Sequence, residues 1–175
     1  MIGRFSRLWT RTGLRIVPRD GRAAIRDAIA AVVGVTLFVV ALDALLFRPH
    51  LASGYVTFYT GPLLPRVWVV SMMAAIEEIE FRLLLMTGLA ILVALARGRV
   101  AAPVMIAIVV AAQFANVGDL VLADPLYATL RYWLVGCVWG WLYWRHGWLA
   151  ALAGHVAVHP LLDPLLAFAL TVSAG

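Results

Sequence analysis

Apolar residues run along this chain in long blocks separated by short polar breaks. Five blocks are long enough to read as membrane helices: residues 27–47, 66–96, 101–117, 126–144 and 148–172. The flanks of the first do not resemble a cleavable signal, so it is expected to be a retained span. The second, at about 1.5 Å per residue, exceeds the hydrocarbon core and should tilt, kink or protrude. Pro160 and Pro164 should bend the last. A polar, Gly/Pro-containing loop fills 48–64, and no internal repeat or low-complexity segment is present. The pattern predicts an all-α, polytopic helical membrane protein with about five transmembrane helices.

Ahead of these blocks stand Arg4, Arg7, Arg11 and Arg15, which share an arc of about 80° on a helix, with Phe5, Trp9 and Ile16 beside it. That stripe suits an Arg-rich interfacial helix ended near Pro18, with Asp20 capping the next helix; a solvated basic tail that only fixes orientation fits equally. The domain reading is a basic amphipathic segment, 1–19, followed by one membrane domain, 20–175.

Composition narrows the class. Of 175 residues 64% are hydrophobic and only 13% charged, and the mean hydropathy is +0.95. A soluble domain of this length could not hide so much apolar surface, which excludes a soluble enzyme, a disordered chain and a nucleic-acid module. The net charge of +5 comes from 14 Arg and no Lys against 9 acids. With the N-terminus inside, ten Arg fall on inner segments, while Arg48 and Arg66 lie outside with Asp119 and Asp124. The expectation is a multi-pass integral protein, in a bacterial inner membrane, with a cytoplasmic N-terminus. Tyr143, Trp144 and Trp148 suit an inner interfacial belt. Cys137 is the single cysteine, so there is no intrachain disulfide, and it reads as a packing residue.

The costly feature is Glu77-Glu78-Ile79-Glu80-Phe81-Arg82 inside the second block. Each ionised group at mid-bilayer costs about 2.5–3.5 kcal/mol on insertion scales, so the cluster should face a protein interior or a wet hollow. Glu78 and Arg82, four apart, can pair; Glu77 and Glu80 have no partner on this helix. An ion-pair network holding helices together is one reading. The other is catalytic, since adjacent carboxylates in a low dielectric are the raw material of a general base. Glu80 is expected to pair with Arg131. His155 and His159 share one face of the last helix and can bind a metal, steady an oxyanion or relay protons, or else bond backbone carbonyls. Gln113 and Asn116 share a face near the end of the third block, where helix–helix hydrogen bonding is the plainer role. His146 and His50 read as solvated loop residues.

Together these segments resemble the CAAX protease and bacteriocin-processing family of intramembrane endopeptidases. Glu77-Glu78-x-x-x-Arg82 matches its first motif, and Gly136 to Tyr143 followed by Gly154-His155 resembles its last two helices, so the likeness spans residues 66–160. It implies a peptide-bond hydrolase within the bilayer. Glu77 and Glu78 carry over as the acid/base pair, Arg82 as their structural partner, and His155 as an oxyanion donor or second-site histidine. Two positions depart from the pattern. The second motif, F-x-x-x-H, reads Phe114 followed by Gly118, and H-x-x-x-N reads His155 followed by His159. Three outcomes stay open: His159 takes over the lost role, Asn116 or Asp119 positions the water, or the chain is a silent relative acting in bacteriocin immunity or partner binding.

The leading expectation is an endopeptidase, glutamic in type, cutting near the membrane-anchored tail of a protein or peptide substrate, with the lipid bilayer as its other partner and no nucleic acid. Catalysis would rest on Glu77, Glu78, His155 and His159, supported by Arg82, Asn116, Phe114 and Glu80. No cofactor is assigned, and a divalent metal such as zinc stays open. The short chain, with no room for an appended domain, fits a C-terminal sorting role slightly better than prenyl-protein processing, by analogy. A proton-coupled transporter using Glu77, Glu80 and His155 is the rival from another class; the lack of inverted repeats counts against it.

Overall fold

The computed structural model describes residues 8–117 and 124–172, and among them there is no strand. Asp20 stands in extended backbone and its carboxylate accepts from Ala23 N at 3.0 Å, so helix α1 (Gly21–Leu46) begins before the apolar block itself. A short helix α2 (Ser53–Thr60) follows in the connecting loop. Helix α3 (Leu63–Arg97) carries the acidic cluster, α4 (Ala102–Val117) follows, and α5 occupies residues 125–146. Helix α6 (Trp148–Val172) continues unbroken through Pro160 and Pro164.

By length and composition α1, α3 and α6 qualify as membrane spans, and α4 is a shorter apolar helix. The 16 described residues of α4 rise about 24 Å. Helix α5 has the length, but Arg131, Arg145 and His146 dilute its apolar character. The outward faces carry Leu37, Leu64, Trp68, Leu84, Leu92 and Phe168, all exposed, as a lipid-facing surface requires. The protein is an all-helical integral membrane protein.

Helix α6 forms the centre of the bundle, packing on α1, α3 and α5, with Leu162, Leu166 and Leu170 buried. Its first turn is capped from outside. Among the described residues of the N-terminal arm, 8–12 are helical, the chain turns at Gly13, and it then runs irregularly past Arg15 and Ile16. Their carbonyls accept from Trp148 N and Leu149 N, both at 3.0 Å. The described part of the expected interfacial helix therefore ends well before Pro18, because this backbone is used to satisfy the free amides of α6. Gly147 joins α5 to α6 at φ +107, and a Cβ there would sit 3.1 Å from the Arg15 and Ile16 carbonyls. At the same end His146 Nε2 lies 2.8 Å from Asp27 Oδ2 and is buried rather than solvated, which corrects the loop reading.

Three stretches are π-wound: Leu42–Leu46, Glu78–Met86 and Thr129–Leu134. Each carries ionisable residues of the bundle interior: Asp43, the pair Glu78 and Arg82, and Arg131. Such widened turns recur at functional sites. In the second, the Arg82 carbonyl accepts from Thr87 Oγ1 at 3.2 Å and the Glu78 carbonyl from Trp148 Nε1 at 3.1 Å.

Candidate active site

Glu78 and Arg82 are both fully buried, with Arg82 Nε 3.4 Å from Glu78 Oε1 as the four-residue spacing predicts. The guanidinium also donates from Nη2 to the Gly136 carbonyl of α5 at 3.1 Å. The same Glu78 oxygen lies 2.9 Å from His155 Nδ1 on α6. His155 stacks on Trp139 with centroids 5.1 Å apart and planes 16° from parallel, so the imidazole is held by a carboxylate and by an aromatic face. With the Nδ1 proton given to Glu78, the lone pair of Nε2 is presented on the other side of the ring. There it lies 4.0 Å from Glu77 Oε2. That is too long for a direct hydrogen bond, and a water off the line between them reaches both.

Glu77 differs from its neighbour. Its side chain is 33% exposed and borders a cavity of about 160 Å³ that Asn116, Arg131, Tyr132 and His159 also line. His159 repeats the arrangement of His155: its Nδ1 lies 3.4 Å from Asp163 Oδ1, and the buried Asp163 is paired with Arg66 at 3.3 Å. Arg66 is itself fixed by the Gly61 and Phe58 carbonyls at 2.7 and 3.2 Å. Two imidazoles on one helix face are thus each oriented by a buried carboxylate and an arginine behind it. Glu77 is fourteen residues from Leu63, roughly 21 Å along α3, and His155 seven residues from Trp148, roughly 10 Å along α6.

Comparison with known proteins supplies the class. The family model for type II CAAX prenyl endopeptidases, Rce1-like, matches residues 59–160, more than half of the chain. The chain belongs to this Rce1-like family. No curated protein and no solved structure matches it. Membership supports CAAX-type intramembrane proteolysis as the activity class, with a membrane-associated peptide or protein as substrate. The matched stretch holds Glu77, Glu78, Arg82, Asn116, His155 and His159, and it coincides closely with the likeness read from the motifs.

In this Rce1-like chain the remaining candidates fall elsewhere. Phe114 is exposed and packs against Trp133, with ring centroids 5.6 Å apart, so its side chain faces away from the hollow. Gly118 and Asp119 lie outside the described residues. Glu80 is exposed and makes no ion pair among the described residues. The expected pairing of Glu80 with Arg131 is replaced by another: Arg131 Nε lies 3.3 Å from Asp43 Oδ2. Asp43 also accepts from the phenols of Tyr55 and Tyr127, which completes its shell.

Asp43 and Asp163 were missed from the sequence, although an isolated carboxylate inside an apolar run was the available signal. Asp163 even stands four residues after His159 on the same face. Among the described residues no three His, Cys, Asp or Glu side chains are grouped to hold a metal ion.

The Rce1-like site also depends on a glycine. A Cβ on Gly136 would lie 2.5 Å from Gln113 Oε1 and 3.3 Å from Arg82 Nη2. Gln113 is fully buried and tied to the Val109 carbonyl at 3.2 Å, so it has little room to withdraw. Gly136→Ala is expected to destabilise the protein by about 1–3 kcal/mol through overpacking and to lower activity by shifting Arg82. Thermal unfolding in detergent checks it; an unchanged midpoint would show that Gln113 yields freely.

Proposed function

We propose that this Rce1-like protein is a glutamic-type intramembrane endopeptidase that hydrolyses a peptide bond near the membrane-anchored tail of its substrate. The observation that carries the reading is the 4.0 Å approach of His155 Nε2 to Oε2 of Glu77, a carboxylate that borders the hollow. Glu77 takes a proton from a water that His155 Nε2 orients, and the hydroxide oxygen bonds to the scissile carbonyl carbon. The Asn116 amide donates to the oxyanion, and His159, held by Asp163, lines the same wall. The C–N bond then breaks as Glu77 returns its proton to the leaving amine. Glu78 and Arg82 do not touch the reacting atoms in this scheme. They hold His155 in one tautomer and one orientation.

The arginine distribution supports a cytoplasmic N-terminus. Tyr59, Asn116 and Tyr132, which line the cavity beyond Glu77, belong to the end of the bundle away from the basic arm. That supports access from the outer face and the processing of an exported protein.

The test is hydrolysis itself. Purified protein in nanodiscs, given lipid-anchored peptides in ¹⁸O-labelled water, should yield two fragments, with one label in the new carboxyl group. No fragment from any peptide, with a cooperative unfolding transition retained, would favour the silent immunity or partner-binding relative that Gly118 suggests.

A further inference from the structure

A second polar cavity, of about 380 Å³, lies at the basic end of the bundle, lined by Gly13, Arg15, Asp27, Trp141, Trp144 and Arg145. The proposed chemistry makes no use of it. The arm that supplies Arg15 is docked: Leu14 and Thr12 are buried, and Thr12 Oγ1 accepts from Leu14 N at 3.1 Å. The Arg11 carbonyl accepts from Val100 N at 3.2 Å, so with the Arg15 and Ile16 carbonyls on α6 the arm closes both turns at this end. The side-chain stem of Arg15 lies against Gly147, where an added Cβ would come 2.9 Å from Cγ. Neither Arg15 nor Arg145 has an ion pair or a side-chain hydrogen bond among the described residues. Asp27, the acid on the same wall, is already paired, through one oxygen with Arg26 at 2.9 Å and through the other with His146 at 2.8 Å. Two guanidinium groups therefore line one hollow and repel each other across it. Burial, and then the nearby Arg19, hold the Arg15 pKa below its ordinary value, so the charge on this side chain is under strain from its surroundings.

We propose that this cavity binds the phosphodiester of an anionic phospholipid, with Arg15 and Arg145 on the phosphate oxygens and Trp141 and Trp144 beside the glycerol and upper acyl chains. The inference stands apart from the endopeptidase reading. A phosphate oxygen pair matches the guanidinium fork and removes the repulsion between the two arginines. The indoles decide for a lipid over a free phosphate. Trp141 is 40% exposed and Trp144 half-buried, in the position of an interfacial belt, so an anion that carried no apolar portion would leave that wall in water. A choline headgroup would bring a third cation into the hollow, whereas phosphatidylglycerol brings none. Basic pockets between helices at a membrane surface suit such headgroups. The bound lipid has a structural consequence. It joins Arg15 of the arm to Arg145 at the end of α5, across the Gly147 joint, and so holds the Arg15 and Ile16 carbonyls on the first amides of α6. Helix α6 is the one that carries His155 and His159.

The experiment places the full chain in phosphatidylcholine nanodiscs with and without phosphatidylglycerol. Two quantities are read: lipid retained by the protein in native mass spectrometry, and hydrogen exchange at the Trp148 and Leu149 amides. The wild type is expected to hold one phosphatidylglycerol at least about tenfold more tightly than phosphatidylcholine, and exchange at the two amides should slow at least about tenfold when it binds. Arg15→Gln with Arg145→Gln should bring the preference to within about twofold and abolish the protection. Arg97→Gln with Arg99→Gln removes the same charge from the same end without touching the cavity, and should keep most of both effects. Equal loss in the two double variants would mean a diffuse basic surface and overturn the site. Equal retention of the two lipids by the wild type overturns it without recourse to any variant, and unchanged exchange on lipid binding overturns the clamp. Inorganic phosphate and glycerophosphoglycerol, added at millimolar concentration to phosphatidylcholine nanodiscs, should give little protection. Protection equal to that from phosphatidylglycerol would assign the cavity to a soluble phosphate and overturn the lipid.

Discussion

Glu77→Gln should slow cleavage by about 10²–10⁴-fold while the protein accumulates in the membrane at its normal level. The substitution keeps the size of the side chain and its ability to hydrogen-bond, and removes only the basicity needed to take a proton from water. Its selectivity comes from the surroundings of the two neighbouring carboxylates. Glu77 is one-third exposed, and its nearest ionisable partner among the described residues is the His155 imidazole at 4.0 Å, so neutralising it strands no buried charge. Glu78 is fully buried against Arg82 and His155, and the same change there would disturb the structure as well as the chemistry. Turnover of a co-expressed substrate, measured beside immunoblots of the membrane fraction, separates the two effects. Normal cleavage by Glu77→Gln would remove this glutamate from the mechanism.

Arg82→Ala is expected to destabilise the protein by about 3–5 kcal/mol, the range for removing one partner of a buried ion pair. The loss has identifiable parts. Glu78 keeps a charge with no counter-charge at 0% exposure, the Gly136 carbonyl loses its donor, and a void opens beside Gln113. Replacing both members with apolar residues, as Glu78→Leu with Arg82→Met, should recover most of the stability, since no charge is then left buried. Activity should not return, because His155 Nδ1 has lost the carboxylate that orients the ring. Chemical unfolding in mixed micelles reads the first expectation and peptide cleavage the second. An Arg82→Ala protein within about 0.5 kcal/mol of wild type would mean that the pair is solvated and does not hold α3 to α5.

What was legible in the chain follows from how local each contact is. Glu78 with Arg82, and His155 above His159, are one helical turn apart, so spacing placed them on common faces before any fold was known. The partner of Arg131 was not legible in this way. Charge arithmetic offered Glu80, the acid without a mate, but Glu80 is exposed and the true partner, Asp43, lies 88 residues away. The π-wound stretch from Glu78 to Met86 contributes to that error, since a widened turn shifts the faces assumed by a regular 100° step. His146 fails for a similar reason. Its neighbours Arg145 and Gly147 suggest a solvated turn, yet it is closed over by Asp27, 119 residues earlier.

The N-terminal arm shows the same division. The arginine stripe suggests a helix, but the amides at the start of α6 need acceptors, and the carbonyls of Arg15 and Ile16 supply them. By itself the sequence determined the solvent: so apolar a chain, broken at these intervals, can hide its backbone only as a bundle of helices in lipid. It also determined which side chains would be costly there, and hence where chemistry had to be sought. Tertiary structure alone decided which of those groups meet, which carboxylate stands behind each imidazole, and which arginine borders the hollow. Helical periodicity orders neighbours within a turn or two, whereas these contacts depend on how α1, α3, α5 and α6 pack together, and no short stretch of sequence encodes that.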